Sequence, residues 1–112
     1  MTVSTHVLDT SIGRPASAVT IALQRLQTSA WVDVSQDTTN ADGRAAALVP
    51  PASALPEGSY RLIFGVGEYF ARRGIESFYG NVTVEFVVRD AASHYHVPLL
   101  MSPYGYSTYR GS

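Results

Sequence analysis

Hydrophobic and polar residues alternate along much of the chain, the pattern of strands that bury one face. Residues 19–24 carry Val, Ile and Leu at every second position, and residues 82–87 repeat the pattern with Val, Val and Phe. Further β-type segments are predicted at 31–34, 45–49, 60–66, 94–100 and 104–109, with Ser102-Pro103 separating the last two. The pattern therefore predicts a chain built mainly of short strands.

Turn residues separate these segments. Asp42-Gly43 predicts a tight turn because glycine tolerates positive φ, and Pro50-Pro51 is expected to end segment 45–49. Residues 68–74 are the one stretch predicted to be helical. About seven or eight strands, with turns roughly every 8–12 residues, predict an antiparallel β-sandwich. Because the sequence contains no repeat or linker, residues 1–112 are expected to form a single domain.

Composition narrows the function classes. The net charge is −1 and no basic stripe is present, so neither nucleic acid nor a membrane is an expected partner. The eight basic residues are all Arg, which excludes a Schiff-base lysine, and the absence of Cys excludes thiol chemistry. Since residues 1–9 do not resemble a signal peptide and no apolar run approaches ~20 residues, we expect a soluble cytoplasmic protein.

Three histidines, His6, His94 and His96, are the first candidates for chemistry. Because His94 and His96 are two residues apart in a predicted strand, both should lie on one face, with Tyr95 on the other. Their number suits zinc, but no carboxylate or thiolate follows at the usual spacing, so we predict no metal and no cofactor. Partly exposed histidines without a chemical role are the simpler alternative.

Hydrolysis by activated water fits these residues better. A neutral imidazole accepts a proton from water near pH 7, and a nearby arginine keeps it neutral and binds an oxyanion. Arg44, directly after the Asp42-Gly43 turn, is the candidate, with a solvated arginine at a strand end as the alternative. Neither a Gly-x-Ser-x-Gly motif nor a glycine-rich phosphate loop is present. The tyrosine-rich segment 104–112 is predicted to dock into an interface or a site.

Three blocks carry a family resemblance. They are THVLDTSIGRPAS at 5–17, TTNADGR at 38–44 and YHVPLLMSPYGYSTYRGS at 95–112. On these blocks the sequence resembles the transthyretin-related 5-hydroxyisourate hydrolases over essentially its full length. It departs from them at Met101, where Leu is common, and at Gly80, where Pro is frequent. The resemblance implies a sandwich of two four-stranded sheets with one short helix. It also implies a homotetramer, a dimer of dimers, whose central channel has active sites at its mouths.

The resemblance also implies the site and the reaction. The implied catalytic residues are His6, Arg44, His96 and Ser112, while His94 has no counterpart. Substrate binding is implied for His6, Arg44, Tyr109, Arg110 and Gly111. The implied reaction is hydrolysis of the lactam ring of 5-hydroxyisourate, a small-molecule substrate of urate degradation.

Two other functions remain as alternatives. A hormone carrier of the transthyretin type shares the fold, but such carriers lack the His6, Arg44 and His96 set and place a lysine near the channel mouth, and this chain has no Lys. An adhesive β-sandwich is expected to show a leader or a flanking linker, and neither pattern occurs in the sequence.

Overall fold

Two β-sheets packed around one hydrophobic core make up the described part of the computed structural model, residues 1–49 and 55–112. The core takes side chains from both sheets, including Val3 and Val7 from one and Ile21 and Leu62 from the other. The elements are β1 (Thr2–Asp9), β2 (Arg14–Pro15), β3 (Thr20–Gln27), β4 (Ala30–Thr38), β5 (Arg44–Ala45), β6 (Gly58–Phe64), α1 (Val66–Arg72), β7 (Val82–Val88), β8 (His94–His96), β9 (Leu99–Ser102) and β10 (Gly105–Thr108).

The two sheets differ in how their strands run. One sheet, the site sheet, has the order β10-β9-β1-β2, with β5 and β8 also paired to β1. The other, the opposite sheet, has the order β4-β3-β6-β7 and is antiparallel throughout. In the site sheet β1 runs antiparallel to β2 and β5 but parallel to β8 and β9. The parallel pairing is possible because the chain passes through the opposite sheet between β1 and β8, so no hairpin joins them.

The predicted sandwich with a short helix is confirmed, and two details differ from the expectation. The site sheet is mixed rather than antiparallel, and its described part has six strands rather than four. The larger number arises because the site sheet includes two additional strands of only two residues each, β2 and β5. In addition, Val97-Pro98 divides what was predicted as one segment into β8 and β9. Proline has no amide hydrogen to continue the ladder, so a break at this position is expected.

Strand β1 lies at the centre of the site sheet. Its core face carries Val3, Thr5, Val7 and Asp9, each no more than 1% exposed. The two polar members are satisfied: the Thr5 hydroxyl donates to Val97 O at 2.6 Å, and the Asp9 carboxylate accepts from the Tyr69 hydroxyl at 2.9 Å. The other face of β1 is therefore free to present polar side chains outward.

Residues 45–49 were expected to form a strand, and only the beginning of that segment does so. Strand β5 ends at Ala45, after two pairs with β1. Beyond it Leu48 is fully buried in the core, and its carbonyl accepts a hydrogen bond from the Ser35 hydroxyl of β4. The chain therefore leaves the site sheet to fill the core, and the predicted end at Pro50-Pro51 lies outside the described residues.

Helix α1 confirms the predicted helix, beginning two residues earlier and ending two residues earlier than expected. It packs against the core through Val66, Tyr69 and Phe70. Burial first, and then the bond to Asp9, raise the pKa of Tyr69 to about 12, so the phenol keeps its proton and remains a donor. In the described part of the chain no helix has both the length and the hydropathy needed to cross a membrane.

Candidate active site

The outward face of the site sheet brings together the three catalytic candidates. Arg44 pairs with His6 across β5 and β1, and His96 pairs with Ser4 across β8 and β1. Their neighbours Ala45 and Tyr95 point into the core, so strand alternation turns Arg44 and His96 to the same outward face as His6 and Ser4. Residues far apart in sequence thus meet on three adjacent strands.

The turn before β5 fixes the position of Arg44. The Asn40 side-chain oxygen accepts hydrogen bonds from the amides of Asp42 at 2.9 Å and Arg44 at 3.0 Å. Gly43 has a φ of 74°, and its carbonyl accepts from the Val7 amide at 2.7 Å. A Cβ at Gly43 would lie 2.4 Å from Val7 O, so only glycine allows this close approach of the turn to β1.

His6 has one ring nitrogen committed to the same turn. Its Nε2 lies 2.9 Å from the carbonyl oxygen of Asp42. A carbonyl only accepts, so Nε2 must carry the proton. Neutral His6 therefore presents Nδ1 as an acceptor, and the turn that positions Arg44 also orients this imidazole.

His96 is half-buried, and its environment favours the neutral ring. Burial lowers the pKa of His96 below its usual 6.5, and the positive charge of Arg44 lowers it further, with smaller contributions from His94 and His6. An uncharged imidazole beside a guanidinium provides a proton acceptor and a cation for a developing oxyanion. The arrangement therefore suits hydrolysis by an activated water.

His94 and Ser4 also lie on the outward face, and Ser4 was not among the site residues predicted from the sequence. The rings of His94 and His96 stack with centroids 6.4 Å apart and planes inclined by 16°, while Tyr95 is buried on the other side, as predicted. The Ser4 hydroxyl lies 2.8 Å from His96 Nδ1 and 3.0 Å from His94 Nε2. The signal for Ser4 is its position two residues before His6 on one strand face, which depends on recognising β1.

The chain end reaches His96 through Gly111. The Gly111 amide donates to His96 O at 2.8 Å, and a Cβ on Gly111 would lie 2.4 Å from His96 Cδ2. Arg110 instead places its guanidinium 4.7 Å from the centre of the Tyr95 ring, which points away from the two imidazoles. The structure thus brings Gly111 to the predicted site and directs the Arg110 side chain elsewhere.

Tyr109 and Ser112 are the remaining predicted site residues. Tyr109 is 59% exposed and, with Arg110, lines a cavity of about 350 Å³ beside Val84 and Phe86 of β7. Ser112 is exposed at the chain end. Within the described residues, no hydrogen bond joins either side chain to the histidines or Arg44, so their roles stay predictions. The same residues contain no group of three or more His, Cys, Asp or Glu arranged to hold a metal ion.

Known proteins resemble the chain over nearly its full length. The HIUase/Transthyretin family model matches residues 3–111. The 5-hydroxyisourate hydrolase of Salmonella dublin is 44% identical over 109 residues, which are 97% of this chain and 79% of the relative. The Klebsiella pneumoniae 5-hydroxyisourate hydrolase structure has a TM-score of 0.86 at 42% identity, over 99% of this chain and 93% of the other. Sea bream transthyretin in complex with thyroxine has a TM-score of 0.90 at 26% identity, over 97% and 93%.

Proposed function

Because the chain belongs to the HIUase/Transthyretin family, we propose that it is a hydrolase that opens the lactam ring of 5-hydroxyisourate in urate degradation. The product is 2-oxo-4-hydroxy-4-carboxy-5-ureidoimidazoline. The observation that carries the proposal is the meeting of His6, Arg44 and His96 on one sheet face, since β1 pairs residue by residue with both β5 and β8.

Each of the three side chains has a separate role in the proposed hydrolysis. Neutral His96, with its lowered pKa, accepts a proton from the attacking water, and Nδ1 of His6 helps to orient that water. The water oxygen bonds to the lactam carbon while Arg44 stabilises the negative charge on the carbonyl oxygen. The ring C–N bond then breaks, and the proton held by His96 passes to the departing nitrogen. The residues supply a base and a cation, and the reaction proceeds without a cofactor.

The tail and the assembly complete the proposed site. Tyr109, Gly111 and the backbone of Arg110 bind the substrate, and Ser112 acts in the catalytic network, with Gly111 already seated against His96. The whole chain, residues 1–112, forms one domain of a cytoplasmic homotetramer, a dimer of dimers. The transthyretin-like fold supports this assembly, because it leaves the outward face of the site sheet available for a partner.

A carrier without catalysis is the second candidate, and two observations favour the enzyme. Identity is 44% to the Salmonella dublin hydrolase but 26% to the sea bream transthyretin, although the latter has the higher TM-score of 0.90. Function resides in the site rather than the fold, and the site here holds His6, Arg44 and His96.

The test is a direct assay. Urate oxidase generates 5-hydroxyisourate in the cuvette, and its ultraviolet absorbance is followed with and without the protein. We expect faster decay, slowed on the order of 10²-fold or more by His96→Ala and by Arg44→Gln. Arg14→Gln, at an exposed arginine of the same sheet, should leave the rate unchanged. Decay at the spontaneous rate, in the presence of folded protein, would refute the hydrolase function and leave the carrier as the remaining candidate.

A further inference from the structure

A chain of hydrogen bonds runs across the outward face of the site sheet and ends at His96. The Thr2 hydroxyl lies 2.5 Å from His94 Nδ1, and Nε2 of the same ring lies 3.0 Å from the Ser4 hydroxyl. That hydroxyl also lies 2.8 Å from His96 Nδ1. The parallel pairing of β1 with β8 sets these contacts, because it aligns Thr2 with His94 and Ser4 with His96.

Because the Ser4 hydroxyl has a single proton, the donors and acceptors in this series of hydrogen bonds can run in only one of two directions. Ser4 lies between two ring nitrogens and donates to only one of them, so it accepts from the other. If Ser4 donates to His96 Nδ1, neutral His96 carries its proton on Nε2. If Ser4 donates to His94 Nε2, then His96 donates from Nδ1, and its Nε2 lone pair is free.

The proposed reaction selects the second direction, and this inference rests on that function. Nδ1 of His96 already faces Ser4, so Nε2 is the nitrogen left to accept a proton from water. We propose that Ser4 and His94 are positioning residues that hold His96 in the Nδ1–H form with Nε2 free. Ser4 then donates to His94 Nε2, and His94 donates from Nδ1 to Thr2. Every contact in the chain thereby has one donor and one acceptor, with both rings uncharged.

The surroundings of His96 are consistent with this arrangement. The charged or titratable groups that influence it are Arg44 on β5, His94 on β8 and His6 on β1, and each disfavours the imidazolium form. A ring without a carboxylate partner depends on another acceptor to fix its tautomer, as histidines in hydrolytic sites commonly do. Here a serine hydroxyl takes that role, and the second histidine orients the serine.

Nitrogen-15 NMR of the histidine-labelled full chain reads the tautomer without substrate. We expect His96 to carry its proton on Nδ1 in the native protein and to shift toward the Nε2–H form in Ser4→Ala. Ser4→Thr keeps the hydroxyl and should restore the native signals. Ser59→Ala, a half-buried strand serine of the opposite sheet, is the matched control and should change nothing at His96. If the native protein carries the His96 proton on Nε2, the proposal is overturned.

Turnover provides the second readout. Ser4→Ala should lower kcat about tenfold or more and leave KM within about twofold, because the wrong tautomer blocks proton transfer rather than binding. His94→Phe keeps a stacked ring without nitrogens and should lower kcat similarly, whereas His94→Gln retains an accepting oxygen and should recover part of it. Native kcat and native His96 signals in both Ser4→Ala and His94→Phe would refute the positioning role of these two residues.

The two proposals fail in different ways. If the native protein does not accelerate decay of 5-hydroxyisourate, the proposed function fails, whatever the NMR shows. If the native protein is active but its His96 tautomer is insensitive to Ser4, the hydrolase stands and the positioning role fails.

Discussion

At the scale of single residues, we expect burial and the charge beside His96 to set the acid limit of the proposed activity. Burial and Arg44 lower the His96 pKa below 6.5, so the neutral, active ring is lost only when pH falls through that lowered value. In Arg44→Gln the burial remains but the cation is gone, so the pKa rises toward 6.5 and the acid limb of kcat/KM moves to higher pH.

An NMR titration of His96 in the two proteins checks this shift independently of activity. Arg14→Gln serves as the control, since its side chain lies on β2 rather than on β5, and its titration should match that of the native chain. An unchanged or lower midpoint in Arg44→Gln would contradict the assigned influence of Arg44.

Gly111 is the second residue whose identity has a local physical reason. A methyl group there would meet the His96 ring at 2.4 Å, so Gly111→Ala must displace either the tail or the imidazole. We expect kcat to fall about tenfold or more, because small misplacements of catalytic groups are costly, with a melting temperature close to native. Gly105→Ala is the control, since its Cβ would meet only Ser102 Oγ at an ordinary 3.7 Å. Equal turnover in the two variants would show that the contact between Gly111 and His96 does not matter for catalysis.

At the scale of elements, the turn into β5 determines whether His6 and Arg44 face each other. Gly43→Ala meets both a positive φ of 74° and a backbone oxygen at 2.4 Å, whereas Gly13→Ala meets a φ of 66° with nothing within 4 Å. The Gly13 variant should lose about 1 kcal/mol of stability from backbone strain alone. The Gly43 variant should lose about 1–3 kcal/mol more, and activity as well, because Val7 O has little freedom to move.

Denaturant unfolding at equal protein concentration measures both losses, since an oligomer's stability depends on concentration. A Gly43→Ala chain as stable and active as Gly13→Ala would show that the contact with Val7 yields easily.

Elements also explain what the sequence predicted and what it did not. Clean alternation at 19–24 and 82–87 predicted β3 and β7, because apolar residues alone fill their core positions. The alternation of β1 is hidden by Thr5 and Asp9, which are buried at core positions but satisfied by distant partners. Segment 45–49 misled in the opposite way, because Leu48 fills the core after the chain has left the sheet, while Ala46 and Ala47 are exposed. Period-two patterns report burial, and they predict a strand only where burial and pairing coincide.

The site followed the same division. Residue chemistry made the three histidines and Arg44 candidates, and the family resemblance selected His6 and His96 over His94. Their meeting depends on register across β1, which spacing in sequence does not give. Ser4 was not identified at all, because an isolated serine carries no signal until β1 places it between two rings.

At the scale of the whole molecule, three exposed aromatic side chains are the surface features that the proposed assembly would bury. Phe78 is 73% exposed, Tyr104 66% and Tyr109 59% in the single chain. Aromatic side chains are enriched at interfaces, and a chain with 15% charged residues has few charges to keep such surfaces apart. These observations agree with the proposed assembly, in which the tail would lie at the boundary between site and partner.

The last prediction concerns the outward face of the site sheet, where Leu8 and Leu100 lie side by side in register near the histidines. If this face meets its copy in the tetramer, Leu100→Glu buries a charge without a partner and should yield dimers in sedimentation velocity at micromolar concentration. Activity should fall with it, because the proposed sites lie where the two dimers meet. Thr83→Glu adds the same charge to an exposed position on β7 of the opposite sheet and should leave the tetramer intact. A tetrameric Leu100→Glu protein would place the contact between dimers on another surface, and the catalytic face would then open directly to solvent.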